Sequence, residues 1–306
     1  MIHALFVVAA LLVPCAALAA DVVGTLTILE GKALIYRGSG RLQAAEGVRL
    51  SLGDIVETAD ATFAQIEMTD QSVAQFGPST RVLLSGPGPR QKSGRSMYLM
   101  EGWLKLVASK REAGAEPGFE LRSPQFEIAP GPAVFVLHSQ PAGVDLFLEG
   151  GSLRMGERQP GNNPPAAVSL KAGDFYQRKF PARGTVAAVA PPAFVGDVPR
   201  PFRDSLPPRI ERFRERAVQP KDAPAFGYAE IEAWLQAEPA VRRSLMPRWR
   251  PKLQEPGFRS ALIAHLNAHP EWDPILFPEK YKPKEPPRPA AAVARPATDA
   301  ASAAVR

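Results

Sequence analysis

Residues 48–84 read VRLSLGDIVETADATFAQIEMTDQSVAQFGPSTRVLL, and this stretch decides the fold. Apolar and polar residues alternate in four short runs, at 54–58, 63–68, 72–76 and 81–84, which Gly-Asp, Ala-Asp, Thr-Asp and Gly-Pro pairs separate. Alternation with a period of two predicts β-strands, and such pairs are typical of turns. The stretch therefore predicts a compact series of β-hairpins. The core candidates are the alternate apolar residues Ile55, Phe63, Ile66, Met68, Val73, Val82 and Leu84.

The turns of this stretch resemble those of the FecR domain family. Three segments are similar to the family's motifs in the same order and spacing: LGDIVET at 52–58, IEMTDQS at 66–72 and GPSTRV at 77–82. Gln71 stands where the family usually has glycine, whose easy positive φ suits an Asp-Gly hairpin. A similar step, LMEGWLKL, follows at 99–106. The motif residues to which we assign structural roles in turns are Gly53, Asp54, Thr58, Asp70, Ser72, Pro78, Thr80 and Gly102.

Strand patterns of the same kind run from residue 21 to about residue 190, and the resemblance covers residues 22–189. We expect a mainly β fold of stacked β-hairpins, a β-roll or solenoid-like sandwich, followed by a small α-helical C-terminal module. The predicted order is a signal peptide (1–19), a FecR-like β-domain (20–190), a Pro-rich linker with a short helix (191–221), a small helical module (222–281) and a disordered tail (282–306).

The first twenty residues form an apolar run that ends in the small residues of Ala17-Leu18-Ala19, which predicts a cleaved signal peptide and a periplasmic protein. A membrane anchor is the alternative, but Pro14 interrupts a run already short for a bilayer. Lipidation at Cys15 is a second alternative. Because Cys15 is the only cysteine, a cleaved chain would contain no disulfide and no cysteine nucleophile or metal ligand. We expect no membrane span after cleavage.

Helical spacing of apolar residues replaces strand alternation after a Pro-rich stretch at 191–208. It predicts helices at 208–216, 228–237, 240–249 and 257–268, and then an extended anchor at 272–281 with buried aromatic residues. A helical unit of this size is marginally stable alone, so we expect it to dock on the β-domain.

The positive charge belongs to the C-terminal part of the chain. Residues 21–190 contain 18 Lys and Arg against 17 Asp and Glu, whereas residues 191–306 contain 19 against 14. For an exported protein this favours anionic envelope partners, such as cell-wall polymer or an acidic protein, and not nucleic acid. An ordinary solvated face, with arginine stems covering aromatic rings, explains the same pattern. The possible partner-binding residues are Arg242, Arg243, Arg248, Trp249 and Arg250.

Catalytic patterns are weak. His265 and His269 have metal-face spacing, with Glu271 and Asp273 beyond them, but Leu266 stands where a zincin has its general base. His138, Ser139 and Asp145 could meet across a hairpin, yet no serine has the Gly-x-Ser-x-Gly setting of a nucleophile.

Asp54 and Asp70 could in principle form a carboxylate pair, but turn hydrogen bonding already explains both. We therefore predict no catalytic, cofactor-binding or metal-binding residues.

The resemblance implies a role in signalling. FecR-like domains are periplasmic parts of bacterial signalling proteins, the best known of which respond to ferric siderophore uptake through an outer-membrane receptor and control a sigma factor. There, an anti-sigma segment and one transmembrane helix precede the domain, and this sequence has neither pattern. We expect a free-standing, non-enzymatic envelope module that binds a membrane or periplasmic protein or a ligand in sensing. The alternative is a structural scaffold that binds peptidoglycan or an outer-membrane assembly.

Overall fold

The computed structural model describes residues 21–86, 94–108, 118–129, 131–159 and 164–282. The described chain is mainly β with a small helical C-terminal region, which confirms the predicted fold class. Residues 1–20 and 283–306 lie outside the described residues, so the predictions of a signal peptide and a disordered tail stay predictions.

In chain order the strands are β1 (Val22–Glu30), β2 (Ala33–Arg37), β3 (Gly40–Gln43), β4 (Arg49–Ser51), β5 (Ile55–Thr58), β6 (Phe63–Met68), β7 (Val73–Phe76), β8 (Arg81–Ser85), β9 (Arg95–Ala108), β10 (Phe119–Arg122), β11 (Phe126–Ile128), β12 (Ala133–Gln140), β13 (Gly143–Glu157), β14 (Ala166–Lys171), β15 (Phe175–Lys179), β16 (Thr185–Ala187) and β17 (Lys221–Asp222).

These strands form a sandwich of two sheets. Sheet A has the spatial order β4-β1-β6-β7-β9-β12-β13-β15-β16. Sheet B has the order β17-β3-β2-β5-β8-β9-β10-β11-β13-β14. All of these pairings are antiparallel except that of β9 with β10. The four strands predicted from the opening stretch are therefore present as β5 to β8, with ends shifted by at most one residue.

Two long strands, β9 and β13, pass from one sheet into the other. Residues 96–101 of β9 pair with β8 in sheet B, and residues 102–108 pair with β12 in sheet A. The change occurs at Gly102, which has a φ of +107°. A Cβ there would lie 2.4 Å from the Cα of Thr80, so only glycine fits this bend. Strand β13 makes the same change beside Gly151, which has a φ of +80°.

The main core lies between the two sheets. Alternate residues of β6, namely Ala64, Ile66 and Met68, point into it. The remaining residues of β6 are buried as well, although alternation alone places them on a solvent face. Most of the core candidates from the opening stretch are buried; Val73 is half-buried.

The outer face of sheet A is covered by residues 191–210, which we call the strap. The strap contains the helix α1 (Pro192–Asp197) and a 3₁₀ helix, Arg200–Arg203. Its Phe194 and Phe202 pack with Phe63, Trp103 and Phe175 of sheet A. The segment predicted as part of a linker is thus packed against the sandwich.

After the strap, the chain crosses the edge of the sandwich. A 3₁₀ helix, Ile210–Phe213, replaces the α-helix predicted at 208–216. The Glu67 carboxylate accepts hydrogen bonds from the backbone N–H groups of Arg209, at 2.6 Å, and Ile210, at 3.1 Å. These bonds fix the end of the strap beside β6.

The outer face of sheet B is covered by the helical module. Its apolar side chains, including Phe226, Ile231 and Trp234, pack on Tyr36 and Leu83 of the sheet, which confirms the expected docking. The segment predicted as an extended anchor is helical instead. Three prolines lie in the first turns of its short helices, a position that favours helix. Its Trp272 is fully buried, whereas Tyr281 is exposed. The module's helices are α2 (Tyr228–Leu235), α3 (Pro239–Trp249), α4 (Pro256–Ala264), α5 (Asp273–Leu276) and the 3₁₀ helices Arg250–Gln254, Leu266–Ala268, Pro270–Trp272 and Pro278–Tyr281.

Within the described residues, the helices are too short or too polar to cross a membrane.

Candidate functional site

The Gly53-Asp54 turn is a buried structural joint. Gly53 has a φ of +92°, and the Asp54 carboxylate is 1% exposed. It accepts the backbone N–H of Ser51 at 2.8 Å and two N–H groups of Arg37 at 2.9 and 2.6 Å. The bond to Asp54 raises the pKa of Arg37. All of these bonds hold strands together, as the structural role assigned to the turn requires.

The Asp70-Ser72 turn is a hairpin of the expected kind. The backbone N–H and the hydroxyl of Ser72 both donate to Asp70 Oδ1. Gln71 has a φ of +67°, the backbone conformation that favours the family's glycine. Asp54 and Asp70 are each used by their own turn, which gives no support to a carboxylate pair.

The remaining motif residues link the strands near the bend of β9. Thr58 Oγ1 donates to the carbonyl oxygen of Gly77, before Pro78, at 2.6 Å and accepts the backbone N–H of Thr80 at 2.8 Å. Thr80 Oγ1 accepts the backbone N–H of Trp103 at 3.0 Å, next to Gly102. The motif therefore encodes the joints of the sandwich and presents no ligand-binding surface.

His138 and Asp145 lie directly opposite each other on β12 and β13, as the hairpin predicted. The imidazole stacks on the Trp103 ring at 4.0 Å, and burial lowers the pKa of His138. Ser139 is the next residue of the same strand, so its side chain points to the opposite face. It is 1% exposed. These residues do not form a nucleophile and its base.

His265 and His269 both contact Tyr228. His265 stacks on its ring, and buried His269 lies 3.2 Å from its hydroxyl through Nε2. Burial lowers the pKa of His269. Glu271 is held by Arg242, and in the part of the chain that the structure describes no three His, Cys, Asp or Glu side chains are grouped to hold a metal ion.

The structure separates the five residues suggested for partner binding. Trp249 is fully buried in the helical module. Arg242 makes a two-bond ion pair with Glu271, at 2.6 and 2.9 Å. The Arg248 guanidinium lies against the Gly53 turn, and burial lowers its pKa. Arg242 and Trp249 therefore serve packing within the module and Arg248 contacts the β-domain, which corrects the placement of these three residues on a binding surface.

The other two residues, Arg243 and Arg250, are exposed. Arg250 lies at an open groove of about 500 Å³ in the helical module. No sequence pattern indicates this groove, because its walls come from four separate helical segments. They are lined by Pro247, Arg250, Pro251, Leu253, Gln254, Arg259 and Ile275.

The edges of the two sheets differ in exposure and charge. Strand β4 contains Arg49, β14 ends at Lys171, and β17 consists of Lys221 and Asp222. Strand β16, in contrast, begins the uncharged run TVAAVA at 185–190. All three residues of the strand are exposed, Val186 by 48%, and Val189 beyond it is 76% exposed. The uncharged run before Pro191 is a local signal of an unprotected strand, but it does not show that the strand stays exposed in the fold.

The comparisons with known proteins give a limited likeness. No family model matches the chain, and no curated protein matches it. Two solved structures of a candidate anti-sigma factor from Parabacteroides distasonis ATCC 8503, at 2.50 and 1.65 Å resolution, are similar to it with 13% and 14% identity and TM-scores of 0.35. Each match covers 44% of this chain and 58% of the solved chain, so this chain spans less than two thirds of the length of these structures.

Proposed function

We propose that this protein is an exported, non-enzymatic module of the cell envelope that binds a membrane or periplasmic protein in a sensing or signal-transduction role. The apolar run at 1–19 supports export, and the FecR-like turns support the signalling role. The observation that carries the proposal is the exposed edge strand β16.

The protein's own chain covers much of both outer faces of the sandwich, the strap on sheet A and the helical module on the β2, β5, β8 and β9 part of sheet B. A partner of the β-domain therefore approaches an edge. Edge strands usually carry charges, prolines or bulges that prevent pairing with another chain. The run at 185–190 contains no charged residue and no proline before Pro191. Strand β15 pairs with only one side of β16.

An extended segment of the partner adds to sheet A beside β16. Its main-chain groups pair with the open side of the strand, and its side chains meet Val186 in the strand and Val189 in the bend beyond it. Main-chain pairing supplies affinity, while these apolar contacts supply selectivity. In a sensing role the partner is the membrane component that carries the signal onward.

A photoreactive amino acid placed at Val189 in the full chain, followed by crosslinking in intact cells and fractionation, tests the proposal. We expect one membrane or periplasmic protein to be crosslinked, and the crosslink to be lost when Val186 is also changed to Lys. The matched control places the photoreactive group at Ser169, an exposed residue of another edge strand, β14.

Three results would count against the proposal. Equal crosslinking from Ser169 would show that the edge is not selective. A protein found only in the cytoplasm would contradict export. Recovery of cell-wall material alone would favour the scaffold, for which the exposed Arg243 and Arg250 offer positive charge.

A further inference from the structure

The groove in the helical module forms where prolines interrupt its helices. Pro247 lies in the last turn of α3, and Pro251 begins the following 3₁₀ helix. Because proline has no N–H group, neither can donate the usual helical hydrogen bond to the residue four positions earlier. The chain changes direction here, and α4 and α5 close the other side with Arg259 and Ile275. The result is a depression between helices, a common place for a ligand.

The charge of the groove is not balanced within the described protein. Residues 239–264 contain six Arg and Lys but only one acidic residue, Glu255. Arg242 is paired with Glu271, and Lys252 with Glu255. Arg250 and Arg259 make no ion pair with any described residue. One N–H group of Arg259 donates a hydrogen bond to the carbonyl oxygen of Leu276, at 3.2 Å.

Two apolar side chains, Leu253 and Ile275, line the groove beside its polar residues. Leu253 and Ile275 are half-buried, and the rings of Pro247 and Pro251 are exposed at the rim. Among the described residues that line it there is no aromatic side chain, and the nearby Trp249 and Trp272 are each 0% exposed. Sugars commonly stack on aromatic rings, so this lining fits a glycan less well than an apolar side chain flanked by carboxylates.

We propose that this groove docks an acidic peptide segment of a partner protein, with an apolar side chain on Leu253 and Ile275 and flanking carboxylates on Arg250 and Arg259. Guanidinium groups form two parallel hydrogen bonds to a carboxylate, which gives charge and geometry together. Gln254 adds an amide at the same wall. The groove is separate from the β16 edge, so the protein would have two binding surfaces and could bridge two partners.

Fluorescence anisotropy with the full-length protein tests this inference. The probe is a short fluorescein-labelled peptide of alternating glutamate and leucine. We expect Arg250→Glu and Arg259→Glu each to weaken its binding by about tenfold or more, the effect of losing one charge-assisted contact. The matched control is Arg154→Glu, which reverses an exposed arginine of β13 outside the groove. Thermal unfolding of each variant shows that the fold is kept.

Two further peptides separate charge from shape. A glutamate-glycine peptide lacks the apolar side chain, and a lysine-leucine peptide lacks the carboxylates. We expect both to bind at least tenfold more weakly than the glutamate-leucine peptide does. We also expect added salt to weaken the binding of the glutamate-leucine peptide. Ile275→Ser should reduce the affinity for the glutamate-leucine peptide without changing how that affinity depends on salt.

The inference is overturned if Arg250→Glu and Arg259→Glu bind the peptide as Arg154→Glu does, or if the glutamate-glycine peptide binds equally well. It is also overturned if soluble peptidoglycan fragments bind through these two arginines and the peptide does not. None of these results depends on the crosslink at Val189, so the two proposals can fail separately.

Discussion

Asp54 is a carboxylate whose hydrogen bonds all lie inside the protein. In Asp54→Ala the buried Ser51 amide would lose its acceptor, and Arg37, whose side chain is 36% exposed, would lose its ion pair but keep the carbonyl oxygen of Arg49. We expect a loss of about 2 kcal/mol in the free energy of unfolding, measured by urea denaturation.

Asp174→Ala is the matched control for Asp54→Ala. Asp174 occupies the equivalent place in a second Gly-Asp turn, where it accepts the exposed N–H of Lys171 at 2.9 Å, and no ion pair with a described cation is formed there. We expect a loss of about 1 kcal/mol. Equal losses for both variants would show that the Arg37 pair adds nothing.

Gln71 has a left-handed backbone conformation, with a φ of +67°. Glycine adopts this conformation without the steric cost that other residues have. We expect Gln71→Gly to raise the free energy of unfolding by about 1 kcal/mol. Gln71→Ala keeps the strain and should change it little; if glycine and alanine give the same stability, the turn is not strained.

Helix α2 docks on sheet B through a half-buried carboxylate, that of Glu57. Trp234 Nε1 donates to Glu57 Oε1 at 2.7 Å, and burial raises the pKa of Glu57, an effect that Trp234 and Arg81 oppose. Folded Glu57 therefore keeps its proton to a higher pH than it does in the unfolded chain. Its contribution to stability is largest at low pH and decreases as pH rises through the folded pKa.

Glu57→Gln removes this titration but leaves an oxygen to accept the Trp234 N–H. We expect the stability of the native protein relative to this variant to fall as pH rises above about 4.5. Urea denaturation at several pH values measures the difference, with Glu232→Gln on the same helix as control. A difference that rises with pH would contradict the raised pKa.

The sandwich and the C-terminal region form one folding unit on the evidence of their shared cores. Removing residues 191–306 would expose Ile28, Phe63 and Trp103 on sheet A and Tyr36 and Ile55 on sheet B. Large exposed apolar patches cause aggregation. We expect the fragment 21–190 to bind a hydrophobic dye and to aggregate, as measured by dye fluorescence and light scattering.

A soluble, monomeric fragment that unfolds at the temperature of the full chain would contradict this prediction. The surfaces at Val189 and Arg250 are therefore better tested by point substitutions in the full chain than by truncation.

The sequence by itself determined the local structure: β5 to β8, the turns between them and three of the module's helices were predictable because alternation, helical spacing and turn residues are properties of neighbouring positions. The family's glycine at the position of Gln71 also indicated the positive φ that Gln71 has in the structure. Four of the core candidates, Ile66, Met68, Val82 and Leu84, belong to the core between the sheets.

Only the tertiary structure decided which remaining surfaces are free. Gln65 and Glu67 are at positions typical of a solvent face, yet they are buried because the chain returns over sheet A. Trp249 has the sequence context of a basic surface but lies in the core of the module. The contacts responsible join residues 142 and 177 positions apart, as in Arg209 with Glu67 and Trp234 with Glu57. Burial depends on such distant contacts, so no local pattern could identify the β16 edge or the groove at Arg250 as exposed.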